Sequence, residues 1–151
     1  MKKRYIIPIF VPHLGCPNDC IFCNQKSISG QKTQMTSKEA KEIIENYLKE
    51  MNNQEAQIEI AFFGGSFTAI EKEKQEELLS VAYEYIENKK VDSIRISTRP
   101  DCIDKSTLKM LKKYKVKTRE LGVQSANDYV LKKIIGNNVI IGAGSVVTKE
   151  I

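Results

Sequence analysis

A chain of 151 residues, 41% hydrophobic and 28% charged, is one ordinary domain by length and apolar enough to build a core rather than stay disordered. Its longest apolar runs, such as YIIPIFVP and VIIGAG, are far too short to span a bilayer; the start MKKRYIIPIF has no small-residue cleavage site, so no signal peptide is read and a cytoplasmic protein is expected. The formal net charge is +5, but lysines interleave with glutamates, as in EKEKQEELL, which reads as a solvated, salt-bridged surface and supports an RNA-binding face only weakly.

The predicted elements alternate. RYIIPIFV, residues 4–11, reads as a buried first strand despite Pro8. TSKE at Thr36–Glu39 is a capping box. The helix it opens carries Ala40, Ile43, Ile44, Tyr47, Leu48 and Met51 on one stripe. QIEIAFF (Gln57–Phe63) is a second strand, ended by Gly64 and Gly65, and a second helix follows over about Glu71–Asn88. DSIRIS (Asp92–Ser97) is a third strand. Asp104 is positioned to cap a short helix carrying Leu108, Leu111 and Tyr114. KTRELGVQ (Lys117–Gln124) is a fourth strand, and Ser125 could cap a further helix with Val130 and Leu131.

Strand followed by helix, repeated four times, predicts an α/β fold with a parallel sheet and right-handed crossovers. The loops after the strands then gather along the carboxyl edge of the sheet. They are HLGCPNDCIFCNQ, GGSFTAI, STRPDCID and GVQS. Ligands of parallel α/β folds bind at that edge.

The last stretch breaks the alternation. From Ile134 to Ile151, aliphatic residues recur at Ile135, Ile141 and Val147, each followed by a small residue, a six-residue period typical of a hexapeptide β-helix. Such rungs need about three repeats to bury a core. The expected division is residues 1–133 as the α/β unit and 134–151 as a tail of different architecture.

Three of the four cysteines, Cys16, Cys20 and Cys23, fall within eight residues at the spacing C-x3-C-x2-C. Disulfides are not expected without secretion, so metal binding or thiol chemistry is the better reading. Zinc would want a fourth ligand, from Cys102 or His13, and usually draws cysteine pairs from two separated places. Three thiolates in one loop suit a cubane iron–sulfur cluster with one iron left open, and Phe22 would shield it from water. His13 reads as a packed loop residue, Cys102 as a small loop residue, and Arg119, odd among apolar neighbours, as the mark of an exposed face.

GCPNDCIFCNQ resembles the cluster loop of the radical S-adenosylmethionine (radical SAM) superfamily. FFGGSFTAI, ISTRPDCID and ELGVQS resemble segments of its Elongator catalytic subunit-like branch, grouped with oxygen-independent coproporphyrinogen oxidase-like proteins. The resemblance runs from Met1 to about Lys132. It implies a [4Fe–4S] cluster on Cys16, Cys20 and Cys23 and S-adenosylmethionine on the open iron. It also implies an electron donor of the flavodoxin or ferredoxin type, reductive cleavage to a 5′-deoxyadenosyl radical, and a substrate such as tRNA or another nucleotide. By the same resemblance Gly64 and Gly65 lie beside the cofactor amino group, with Ser66 where many relatives carry an acid. Ser97 and Arg99 face its ribose or carboxylate, Arg99 by its forked donors. Glu120 and Gln124, an even separation apart on one strand, face the barrel interior. Each has a plainer reading: a turn for the glycines, Asp101 as a local ion-pair partner for Arg99, and satisfaction by backbone groups for Glu120 and Gln124.

The superfamily core usually has six βα units, and four are legible here. A truncated partial barrel is therefore expected, weakly active alone, with an open edge that a partner or a second copy would cover. The tail resembles the end of a hexapeptide-repeat acyltransferase joined near Lys132–Ile134. An acyltransferase activity is not expected, because the only histidine, His13, is far from it.

Overall fold

The computed structural model describes residues 3–12, 35–51 and 56–122. Among the described residues four strands form one sheet: β1 (Arg4–Val11), β2 (Gln57–Gly64), β3 (Ser93–Thr98) and β4 (Val116–Leu121). Three helices connect or follow them: α1 (Ser37–Glu50), α2 (Lys72–Glu87) and α3 (Lys105–Lys113), with 3-10 turns at Phe67–Ala69 and Pro100–Cys102. All strand pairs are parallel, and the spatial order is the chain order, β1-β2-β3-β4. A winding that never reverses direction brings every crossover helix to the same side, as in a barrel wall rather than a doubly wound sheet. The fold is α/β with four parallel strands, consistent with a partial radical SAM-type barrel.

The register divides the sheet into two faces. Ile7 pairs with Ile60 and Ile9 with Phe62, while Ile94 and Ile96 continue the same rows across β3. These residues are buried with Ala40 and Ile44 of α1, Leu78, Leu79 and Ala82 of α2, and Leu111 of α3. Fully burying each leucine, isoleucine or phenylalanine among them contributes about 1.5–3 kcal/mol. The alternate residues of β1, Ile6, Pro8 and Phe10, are exposed on the opposite face. Pro8 is tolerated because β1 is an edge strand of the described sheet.

Local chemistry fixes where the helices begin. Thr36 and Glu39 form the expected capping box: Thr36 Oγ1 accepts from the Glu39 amide at 3.2 Å and the Glu39 carboxylate accepts from the Thr36 amide at 2.8 Å. Asp104 caps α3, its Oδ1 accepting from the Thr107 amide at 2.6 Å and the Ser106 hydroxyl at 2.9 Å. Two residues of the expected apolar stripes do not reach the core: Leu108 is 40% exposed and Tyr47 37%. In α3 the inward positions are taken by Thr107 and Leu111, with Met110 packed beside them. Leu108, one residue beyond Thr107 and so about 100° around the helix, is turned outward.

The fourth strand begins one residue earlier than the sequence pattern suggests, at Val116, and contains a bulge. Ile94 pairs with Val116 and Arg95 with Thr118, leaving Lys117 as the extra residue. The bulge shifts the alternation by one residue, so that Val116 stays on the helix face beside Ile94 while Thr118 and Glu120 fall on the face away from the helices. The cysteine loop, Gln124, the further helix after Ser125 and the tail lie outside the described residues.

The cap on α3 makes stability pH-dependent. The backbone amide of Thr107, helped by the hydroxyls of Thr107 and Ser106, holds the Asp104 carboxyl well below its ordinary value. Its stabilisation is thus present above the unfolded value of about 4 and is lost as pH falls below that, where the unfolded chain takes up a proton first. Asp104→Asn keeps a capping side chain but cannot titrate. Thermal melts from pH 5 to pH 3 are expected to fall less steeply for this variant than for the wild-type chain.

Candidate functional site at the carboxyl edge of the sheet

The ends of β1 and β2 meet at one glycine. Val11 and Gly64 are register partners, and Gly64 has a φ of +127°, a conformation that L side chains rarely adopt. A Cβ on Gly64 would lie 2.2 Å from the Val11 carbonyl oxygen. The absent side chain therefore lets the loop after β2 close over the point where β1 leads toward the cysteine segment. The oxygen that Gly64 admits is the chain's own Val11 carbonyl.

Buried hydroxyls tie the same loop to β3. Ser66 Oγ and Thr98 Oγ1 are 2.8 Å apart, Thr68 Oγ1 also bonds Thr98 Oγ1, and Ser66 Oγ accepts the Arg99 amide at 3.1 Å. Ser66, Thr68 and Thr98 are all buried. From below, Gln75 Nε2 donates to the carbonyls of Ile70 at 2.7 Å and Thr68 at 3.1 Å. Phe67 stacks on Phe62 with ring centroids 5.0 Å apart. β4 joins through the Gly122 amide, which donates to the Thr98 carbonyl at 3.0 Å. Thr98 is thus the node at which three strand ends are held in one rigid edge.

Below this edge, the face away from the helices carries a charged network. Arg95 Nε donates to Glu59 Oε2 at 2.8 Å and Nη1 to Glu120 Oε1. Ser97 Oγ donates to Glu120 Oε2 at 2.9 Å, and Glu59 Oε1 accepts from Ser93 at 3.1 Å and Thr118 at 3.3 Å. Burial pulls the Arg95 guanidinium down, but the bonds to Glu59 and Glu120 outweigh it and leave its pKa above the ordinary value. Glu120 is held by side chains of the neighbouring strand, Arg95 and Ser97, rather than by the backbone groups of the plainer reading.

Arg99 lies at the edge with its guanidinium forked onto Asp101, Nε to Oδ1 at 3.0 Å and Nη2 to Oδ2. This is the local ion pair, not a preformed empty fork. Cys102 stands beside it; burial pushes its thiol up, and Ser66 offsets this only in part, so it is protonated at neutral pH and a poor ligand. Arg119 is partly buried and its guanidinium is lowered by desolvation, so it does not mark a freely exposed face. Two grooves lined by described residues lie between α1 and α2, around Lys41, Glu45, Glu84 and Tyr85, and beside Asp92 and Lys115.

Of the expected site residues, Gly64, Gly65, Ser66 and Arg99 come together at the edge, and Ser97 and Glu120 bond each other on the face below it. Cys16, Cys20, Cys23 and Gln124 lie outside the described residues. Sequence reasoning passed over Thr98, Gln75, Glu59 and Arg95. The signal for the last two was present: QIEIA and SIRIS each carry a lone charge at the alternate position of an apolar strand, and a period of two puts those charges on one face.

The edge should be brittle to substitution. Gly64→Ala adds backbone strain and a clash with a main-chain oxygen, and is expected to destabilise by about 2–4 kcal/mol in denaturant unfolding. Thr98→Val keeps the shape but leaves the Ser66 and Thr68 hydroxyls without their shared partner, for an expected loss of about 1–3 kcal/mol. An unchanged midpoint for either variant would contradict the packing described.

The family model of the radical SAM superfamily matches residues 10–139. An uncharacterized protein of Methanocaldococcus jannaschii is 31% identical over 144 residues, covering 87% of this chain and 42% of that protein. Elp3 of Methanocaldococcus infernus, solved with residues 1–46 deleted, has a similar fold, with a TM-score of 0.51 at 19% identity over 88% of this chain and 32% of the other. The chain thus spans less than half the length of either. With the family model covering most of the chain and the parallel, singly wound sheet beneath it, the chain belongs to the radical SAM superfamily.

Proposed function

We propose that this protein binds a [4Fe–4S] cluster through Cys16, Cys20 and Cys23 and S-adenosylmethionine across the carboxyl ends of β2, β3 and β4. The observation that carries the reading is the Gly64–Val11 approach, which holds the loop after β2 against the strand end from which the cysteine segment departs. The donor set fits: three thiolates in one loop complete three corners of a cubane cluster and leave one iron for an outside ligand. With both groups held there and an electron from a flavodoxin- or ferredoxin-type donor, the site would supply the radical chemistry that removes a hydrogen atom from a substrate.

The chain's own residues would bind and orient. Ser66 is committed to Thr98 and the Arg99 amide, so it serves as a brace for the glycine pair rather than as an acidic contact. Ser97 and Glu120 offer acceptors on the face below the edge, where hydroxyl or amino donors of the cofactor would seat. Arg99 would contact a carboxylate only by sharing or releasing Asp101. The Elongator-like motifs in the edge loops favour a tRNA or other nucleotide as substrate, an assignment that rests on family likeness.

Anaerobic reconstitution with iron and sulfide is expected to give a brown protein with about four irons per chain. Cys→Ala at Cys16, Cys20 or Cys23 is expected to abolish the colour, and dithionite with S-adenosylmethionine to release 5′-deoxyadenosine. A colourless product, or uptake of zinc alone, would overturn the proposal.

A further inference from the structure

The network on the face away from the helices contains two carboxylates and one guanidinium: Glu59, Glu120 and Arg95. Its members differ in access. The Glu59 side chain is 6% exposed, Arg95 14% and Glu120 25%. Glu59 also accepts from Ser93 and Thr118 and is the most buried of the three, an anchor within the network. Glu120 is the open member, next to Ser97 and one step below the edge.

We infer that Arg95 is a positioning residue: held by Glu59 on one side, it fixes the Glu120 carboxylate so that its free lone pairs present a preset acceptor to a hydrogen-bond-donating, cationic part of the ligand. The inference rests on the proposed binding of S-adenosylmethionine and adds Arg95 and Glu59, which the motif likeness does not include, to Glu120, which it does. Three features carry it. First, a planar guanidinium can bond two carboxylates at once in fixed directions, which a lysine cannot do with the same rigidity. Second, Arg95 Nη1 and Ser97 Oγ take one site on each Glu120 oxygen, and a carboxylate has about four such sites, so acceptor capacity remains on both. Third, the trio carries one excess negative charge on a partly desolvated face, where a cation or a pair of hydroxyls is favoured and an anion is repelled. The β4 bulge at Lys117 supports the same geometry, because it brings Glu120 into register with Ser97 and Thr118 with Arg95.

The test is a double-mutant cycle on the reconstituted full chain, reading iron content and the dissociation constant for S-adenosylmethionine by equilibrium dialysis. Arg95→Met and Glu120→Gln are each expected to weaken binding about tenfold with iron content unchanged. The double variant should also lose about tenfold rather than a hundredfold, because Arg95 acts through Glu120. Arg95→Lys should recover only part of the loss. Since Arg95→Met alone strands a buried carboxylate, the cycle is repeated in a Glu59→Gln background, where that carboxylate is absent. Additive losses, an unaffected Glu120→Gln variant, or loss of iron in the Arg95 variants that fold would overturn the inference while leaving cluster and cofactor binding intact. Failure of the wild-type chain, with full iron, to bind S-adenosylmethionine would overturn the proposed function and this inference together.

Discussion

The approach of Gly64 to the Val11 carbonyl sets how close the first two strands can end, and the rest of the candidate site is arranged around it. Any side chain at Gly64 would occupy the space of a main-chain oxygen. With that contact made, the loop after β2 turns back over the sheet, and Phe67 is drawn down onto Phe62. Ser66 and Thr68 then come within reach of Thr98 on the neighbouring strand. One backbone approach thus leads to a hydroxyl cluster that also fixes the Arg99 amide and, through the Thr98 carbonyl, the start of the segment after β4.

Two kinds of force share the sheet. On the helix face, aliphatic rows such as Ile7–Ile60–Ile94 hold the layers together by burial. On the other face, charge and hydrogen bonding replace apolar contact across β2, β3 and β4, while β1 leaves Ile6 and Phe10 exposed. A buried ion pair is weak evidence of stability, since desolvation offsets much of the attraction. The network fixes the orientation of Glu120 within the chain itself, which is the preorganisation that the inferred role of Arg95 requires.

Several candidate residues are already paired within the chain. Arg99 pairs with Asp101, Glu120 with Arg95 and Ser97, and Ser66 with Thr98. Each pairing holds a side chain in one direction. For Glu120 this leaves acceptor capacity open; for Arg99 it means that a carboxylate ligand must compete with Asp101; for Ser66 it removes the side chain from ligand contact. Membership of one edge therefore does not give these residues equal roles.

The alternation of strands and helices, the caps at Thr36 and Asp104, and the gathering of loops at one edge were legible in the sequence, because each depends on local spacing and chain direction. The cysteine spacing and the loop motifs pointed to the superfamily for a similar reason: three donors in one loop are a local fact. The sequence could not say which side of α3 Leu108 would occupy, since Thr107 took the inward position instead. Nor could it count the partners of Glu59, Arg95 and Glu120, which lie as far as 61 positions apart in the chain and meet only when three strands align with a bulge at Lys117. Tertiary structure decided those features because register, not propensity, determines which side chains share a face.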